Sequence, residues 1–438
     1  MTPVRELSAD LYRVVAVIVV AIGHWLVSAV TYRDGRFGND YPLDVLPWTQ
    51  WLTLLFQVVP VFFLVGGYAS AASWLHWRDA GGRRRSDWVR QRLGAILGPT
   101  AVYAAVALGV VAALVLAGVG RSPLSFGGWA VAMHLWFVPV YLVVVALTPV
   151  AMAAHRRWGL LVPAVLALAV AGVDLLARST GVAVVGAANY VLCWAAVYQL
   201  GICWRGGALS GRRPVVLAAV GVVALAVLLG SRWYPISMVG APGATAQNNF
   251  PPNAALLAFS AAQAGLLVAA SSSVTRRLER SRLRRPLAVA SRNVMALYLW
   301  QMVPVVVVAL IAYPAGLFPQ PATGTGAWWW FRLAWLGILS VVTAGELALV
   351  WMARRVTATA LPTKLIPLPG WCATPLLVVG IVSSTVALAG LAVYGFAPDG
   401  HFPTTGTLLL AVGICLLSVT TVVPQGISSD QPHSPSRY

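Results

Sequence analysis

The stretch Asp10-Leu-Tyr-Arg-Val-Val-Ala-Val-Ile-Val-Val-Ala-Ile-Gly-His-Trp25 decides how this chain is read. It is apolar almost throughout, yet it carries Arg13 and His24. In a helix an eleven-residue step returns close to the same face, about 16 Å further along the axis. A guanidinium and an imidazole inside hydrocarbon are costly, so such groups face a cavity or a partner. The segment therefore reads as a membrane helix with both groups on one stripe, a candidate reaction path.

The same pattern extends along the chain. Its 438 residues are 59% hydrophobic and only 10% charged, which excludes a soluble domain of this length. Apolar runs of about twenty residues, each able to span a bilayer core, recur to the end. They fall at 12–32, 49–76, 95–118, 127–154, 158–177, 182–204, 214–231, 252–272, 286–312, 327–352, 373–395 and 406–424. Helices satisfy their own backbone in lipid, so the expected fold is an all-α polytopic transmembrane bundle of about twelve spans. The first span lacks the positive flank of a cleaved signal, because Arg5 and Arg13 are offset by Glu6 and Asp10.

A net charge of +18 raises the question of nucleic acid, and its distribution answers it. Arg78, Arg83, Arg84, Arg85, Arg90 and Arg92 share one loop, and Arg276, Arg277, Arg280, Arg282, Arg284 and Arg285 another. Arg156 and Arg157, then Arg205, Arg212 and Arg213, then Arg354, Arg355 and Lys364 form smaller sets on the same expected side. The opposite loops hold only Arg33, Arg36, Arg121, Arg178 and Arg232. That is the positive-inside pattern, with both termini cytoplasmic and the bilayer, not nucleic acid, as the surrounding partner. Cys193, Cys203, Cys372 and Cys415 lie in or beside apolar runs without metal or disulfide spacing, so no metal is expected. Arginine almost wholly replaces lysine among many Ala and Val, the signature of GC-rich bacterial coding.

Several stretches carry a further signal. Arg13 and His24, with ten residues between them, are followed by Phe62-Phe63-Leu64-Val65-Gly66-Gly67-Tyr68, by Arg90-Gln91-Arg92 ahead of Pro99, and by His134-Leu135-Trp136-Phe137. Leu297-Tyr298-Leu299-Trp300-Gln301 comes later. In order and spacing these resemble the motifs of the acyltransferase type 3 family of integral membrane acyltransferases, over about residues 10–350. Two positions depart from the family pattern: Gly66 stands where a Ser is usual, and Gln301 where a His is usual. The resemblance implies a membrane acyltransferase domain over 1–352 with ten helices, leaving two additional spans over 353–424 and a disordered cytoplasmic tail over 425–438. No esterase-like domain is expected at the C-terminal end.

The resemblance further implies transfer of an acyl group, commonly acetyl, from cytoplasmic acyl-CoA to a hydroxyl. The acceptor would be a sugar, an envelope glycan or a glycosylated metabolite, and the setting the cell membrane. Acyl-CoA is then a co-substrate, with no bound cofactor. Alcoholysis of a thioester needs a base for the incoming hydroxyl, and neutral imidazole suits that near pH 7. His24 is either that base or a packing residue bonded across helices. Arg13 either holds a CoA phosphate with its planar fork or snorkels to lipid headgroups, and Asp10 one turn earlier is placed to neutralise it. Arg90 and Arg92 are candidates for the same CoA, though a topology signal explains them too. Glu346 is an isolated carboxylate inside a span; a partner such as Arg13 or Arg292 is expected, in a structural pair or a proton relay. Tyr68, His134, Trp136 and Phe137 are expected to line the substrate path. Asp174 reads as a plain salt bridge to Arg178, and Gly66, Gly67 and Ser70 as close helix packing.

Two arginine-poor loops, 33–48 and 232–251, combine aromatic residues with Asp, Asn and Gln. That mixture suits either a sugar or an interfacial belt. The rival to an enzyme is a transporter or exporter of a small amphiphile, which accounts for the spans and intramembrane charges but not for the four motifs.

Overall fold

The computed structural model describes residues 6–82, 84–240, 247–356 and 370–419. Expectations for Arg83, Lys364 and the tail 425–438 fall outside the described residues. Within them, nine helices are long and apolar enough to cross a membrane: Leu7–Val27, Pro47–Asp79, Arg85–Leu116, Leu161–Thr180, Val184–Arg205, Arg213–Gly230, Ala254–Glu279, Gly326–Ala353 and Trp371–Tyr394. Two bent pairs, Arg121–Ala130 with Met133–Ala146 at 42° and Arg284–Trp300 with Val303–Ala312 at 44°, are apolar enough taken together, which gives up to eleven spans if each pair counts as one. A shorter apolar helix, Thr404–Ser418, lies in the last expected segment. The fold is all-helical apart from one small hairpin.

The bends replace the continuous helices expected over 127–154 and 286–312. Proline accounts for the second: Pro304, in the first turn of Val303–Ala312, has no N–H and its ring opposes the carbonyl of Trp300. The first falls between Ala130 and Met133, where the chain passes into the short 3-10 turn Met133–Trp136, and Pro139 opposes Leu135 within that turn. The first helix also sits five residues earlier than its hydropathy suggests and ends at Val27. Beyond it the chain forms an antiparallel hairpin, Val30–Arg33 with Arg36–Asn39, rather than an irregular loop. Asp34 and Gly35 both take positive φ, +51° and +75°, as a tight two-residue Asp-Gly turn requires.

Small residues set the closest helix crossings. A Cβ on Gly67 would lie 2.0 Å from the Tyr198 carbonyl oxygen, and one on Gly201 1.9 Å from that of Leu64. Pro47–Asp79 and Val184–Arg205 therefore meet backbone to backbone, with Ser70 fully buried beside the contact. Gly221 and Gly265 do the same for Arg213–Gly230 and Ala254–Glu279. The C-terminal helix pair packs on the rest of the bundle. Phe396, fully buried, donates its amide to the Gly128 carbonyl at 3.0 Å.

The first helix crosses the middle of the molecule. Near its start, the Ser8 amide donates to Thr275 and Arg13 bonds Ser291, so the arginine-rich ends of Ala254–Glu279 and Arg284–Trp300 lie at this level. Near its end, Trp25 bonds Gln301 and the Ser28 carbonyl accepts from Arg332. The bundle thus has an arginine-rich face and an arginine-poor face, with Arg13 toward one and His24 toward the other.

Candidate active site

At the arginine-rich end, Arg13 belongs to a small polar knot. Its Nη2 donates to the Ser291 carbonyl at 3.2 Å and to the Ser291 hydroxyl at 2.5 Å. The Ser291 hydroxyl in turn donates to Asp10 Oδ1 at 2.6 Å, and Asp10 lies 3.4 Å from Nη2. Asp10 thus neutralises the cation one turn away, while Ser291, on a helix 278 residues distant, fixes its direction. The side chain stays 36% exposed and Nε is buried without a partner, so part of the fork is uncommitted. Tyr141 is within electrostatic reach of both Arg13 and Arg92, which brings those two cations to one neighbourhood. Arg205 sits over the Tyr68 ring at 5.9 Å, and Tyr68 packs on Trp204 at 4.5 Å.

Arg90 belongs elsewhere. It is 5% exposed, donates to the Ala373 carbonyl and pairs with Asp87 at 3.7 Å. The structure thus engages Arg90 in tying Arg85–Leu116 to the C-terminal pair, facing away from open space.

At the other end, His24 meets both helix breaks. Helix bends in hydrocarbon free backbone carbonyls that must find partners inside the protein. Trp25 Nε1 donates to the Gln301 carbonyl at 2.7 Å, and Gln301 Nε2 donates to that of Tyr298 at 3.0 Å. The Tyr298 hydroxyl donates to the His134 carbonyl at 2.5 Å, and His134 Nε2 donates to that of Leu299 at 3.0 Å. Each bent pair therefore satisfies the other. The His24 ring stands beside the Gln301 side chain and within electrostatic reach of His134. Its Nδ1 is buried without a partner, and the residue as a whole is only partly exposed.

The other expected residues divide. His134 is 1% exposed and committed to Leu299, so it supports the site rather than presenting a free ring. Trp136 and Phe137 are partly exposed in an aromatic wall: Trp136 lies 5.4 Å from Phe250, and Phe137 lies 5.6 Å from Tyr298 and stacks on Tyr141 at 5.0 Å. Glu346 corrects an expectation. Both carboxylate oxygens are buried with no hydrogen-bond partner, and no ion pair joins it to Arg13 or Arg292 among the described residues. Between its helix and Arg284–Trp300 lies a cavity of about 280 Å³, lined by Asn293, Ala296, Leu347 and Trp351 among others. Tyr103 is the group within electrostatic reach of Glu346, and it packs edge-on against His134 at 5.9 Å and Trp300 at 5.2 Å.

Asp174 is more than a plain salt bridge. It holds Arg178 at 3.0 Å, the Tyr234 hydroxyl at 2.6 Å and the Ala254 amide at 3.2 Å. The amides of the second long loop also turn inward: Asn248 and Asn253 are buried and bonded within the loop, so they build it and do not face a sugar. Sequence reading did not find Tyr103, Tyr141 or Ser291. A signal existed for Tyr141, one helical turn after Phe137 on the same face, and for the second break, in Pro304.

One helix thus joins a polar knot at one face to an imidazole at two interlocked helix breaks, the candidate site of this bundle. The acyltransferase type 3 family, described as an acyltransferase domain, matches residues 6–351 and so takes in every residue of this site. The chain belongs to that family and is a multi-pass membrane acyltransferase. No curated protein and no solved structure matches it.

Proposed function

We propose that the protein is an O-acyltransferase of the cell membrane. It would move an acyl group, acetyl by preference, from cytoplasmic acyl-CoA to a hydroxyl of a sugar, an envelope glycan or a glycosylated metabolite. The observation that carries this reading is the placement of Arg13 and His24 on one helix. The first is held near the arginine-rich face with part of its fork uncommitted, and the second is partly exposed at the helix breaks. By the positive-inside rule the arginine-rich face is cytoplasmic. A CoA phosphate suits the Arg13 fork, with Arg92 as a second cation nearby. The pantetheine arm, about as long as the Arg13–His24 step, would carry the thioester toward His24, past Tyr68 and Phe137.

His24 Nε2 accepts the proton of the acceptor hydroxyl as its oxygen attacks the thioester carbonyl. The tetrahedral intermediate collapses with cleavage of the C–S bond. The proton on His24 then passes to the leaving sulfur, giving free CoA thiol and an ester, and the imidazole returns to its neutral form. Glu346 is the second acid–base group of the proposal, relaying protons through the Tyr103–His134 side of the site.

The test uses purified protein, labelled acetyl-CoA and panels of sugars and host glycans, with CoA thiol release and mass spectrometry as readouts. His24→Ala should cut turnover by roughly 100-fold or more while CoA binding survives. Arg13→Ala should raise the KM for acetyl-CoA, with Arg13→Lys restoring it in part. Wild-type turnover in His24→Ala sinks the base assignment. Failure of the wild type to consume any acyl-CoA sinks the donor.

A further inference from the structure

Arg332 lies in the second turn of Gly326–Val356, at the arginine-poor face, and is only 3% exposed. Its Nη1 donates to the Ser28 carbonyl at 3.0 Å. The Ser28 amide is itself bonded to the His24 carbonyl at 2.9 Å, so the guanidinium stands about one helical turn beyond the proposed base. Three rings surround it: Trp328 and Phe331, each 5.3 Å from the guanidinium carbon, and Trp335 at 5.6 Å. Aromatic faces offset part of the cost of burying a cation but do not neutralise it.

No carboxylate among the described residues lies within ion-pair distance of Arg332. The nearest candidate in the same cleft, Asp40, is taken by Arg33 at 2.9 Å. Two donors are left over as well. Beside its side-chain bond with Tyr313, the guanidinium keeps Nε buried without an acceptor, and outside the cleft Trp335 Nε1 is likewise unpaired. A fixed positive charge with an orphaned N–H of its own is the chemistry of an oxyanion site.

The place is built to receive one. A cleft open to the arginine-poor side runs between the hairpin and the segment before Gly326, lined by Thr31, Arg33, Tyr313, Gln320, Trp328 and Arg332. Gln320 locks its two walls together, accepting from the Tyr32 amide at 2.7 Å and donating to the Tyr32 carbonyl at 2.8 Å. The innermost space is about 20 Å³, room for one oxygen-sized end of a group whose remainder extends into the open cleft, and not for a sugar ring.

We propose that this cleft binds an oxyanion, a carboxylate or phosphate carried by the acceptor, on Arg332 beneath the hairpin. The acceptor is then an acidic glycan or a phosphorylated or carboxylated metabolite, anchored by its charge while a neighbouring hydroxyl reaches His24. This rests on the reading that the acceptor enters from the arginine-poor face, and its test is independent of turnover.

Purified protein in nanodiscs of neutral phosphatidylcholine, with no acyl donor present, is titrated with inorganic phosphate, glucuronate and glucose. The intrinsic tryptophan emission, in the wild type and in a Trp328→Phe variant that isolates the cleft's contribution, and the thermal midpoint are followed. Phosphate or glucuronate should give a saturable response at millimolar concentration, and glucose none. Arg332→Gln should weaken that response at least tenfold, and Arg332→Lys should retain a part of it. The wild-type titration stands even where a variant folds poorly: absence of any saturable response to either anion overturns the proposal. So does a response seen only on exchange into phosphatidylglycerol nanodiscs, which would assign the cleft to a lipid headgroup. A protein that binds the anions yet never turns over acyl-CoA would instead count against the donor and leave the cleft's chemistry in place.

Discussion

At the scale of single residues, the site combines groups that the sequence announces with partners it conceals. Arg13 and His24 are visible because a charge and an imidazole stand out in an apolar run. Ser291, which holds Arg13, and Gln301, beside His24 and bonded by Trp25, lie more than 270 residues away in ordinary-looking segments, and no local pattern marks them. Gly66 shows the opposite case, a departure from the family pattern with a physical cause in the structure. A Cβ there would fall 2.5 Å from the Tyr141 hydroxyl, so Tyr141 occupies the place a serine side chain would take. Gly66→Ser should therefore destabilise by about 1–3 kcal/mol through overpacking. Gly66→Ser with Tyr141→Val should be less destabilised than the two single effects combined, a coupling that thermal unfolding in detergent would measure. An additive result would remove the steric explanation. Glu346 gives a sharper test. Having no partner to strand, Glu346→Gln should keep or raise the thermal midpoint while turnover falls by roughly 100-fold, as for loss of an acid–base group. A marked loss of stability would mean that the carboxylate is paired after all.

At the scale of elements, hydropathy locates nearly every span but cannot tell a straight helix from a bent one. The runs 127–154 and 286–312 look continuous because Pro139 and Pro304 do not lower the apolar average, although each removes a backbone hydrogen bond. The loops are equally opaque: an Asp-Gly turn and a string of Asn residues read as polar surface, and the structure spends them on a hairpin and an inward-bonded knot. That knot has a measurable pH signature. Burial, and the bond it donates to Asp174, push the Tyr234 hydroxyl up from 10.0 to about 12. The folded state thus favours the protonated phenol, and its contribution is complete below about pH 10 and lost as the pH rises to about 12. Unfolding of wild type and Tyr234→Phe compared from pH 8 to 12.5 should show a gap that closes over that window. A gap that is constant with pH would show that the phenol contributes packing only.

At the scale of the whole molecule, the bonds of the first helix set the arginine-rich ends of Ala254–Glu279 and Arg284–Trp300 at the level of Arg13, and the charge pattern along the chain supplies the expected sidedness. The prediction that follows is topological. Single cysteines placed near Arg78 or Arg280, on a cysteine-free background, should resist a membrane-impermeant thiol reagent in intact cells, while ones near Gly35 or Trp233 should react. The reverse pattern would invert the bundle and, with it, the side from which acyl-CoA must come. The interlocked helix breaks carry a consequence of a different kind, for the order in which the protein is made. The His134 carbonyl waits for the hydroxyl of Tyr298, 164 residues later in the chain. At about 5–20 residues per second, synthesis leaves that gap open for roughly 10–30 s. Through that interval the first bent span is without the hydroxyl that it meets in the folded protein. Its final geometry is completed only once its counterpart has emerged, so biogenesis of this enzyme runs on the timetable of its second bend.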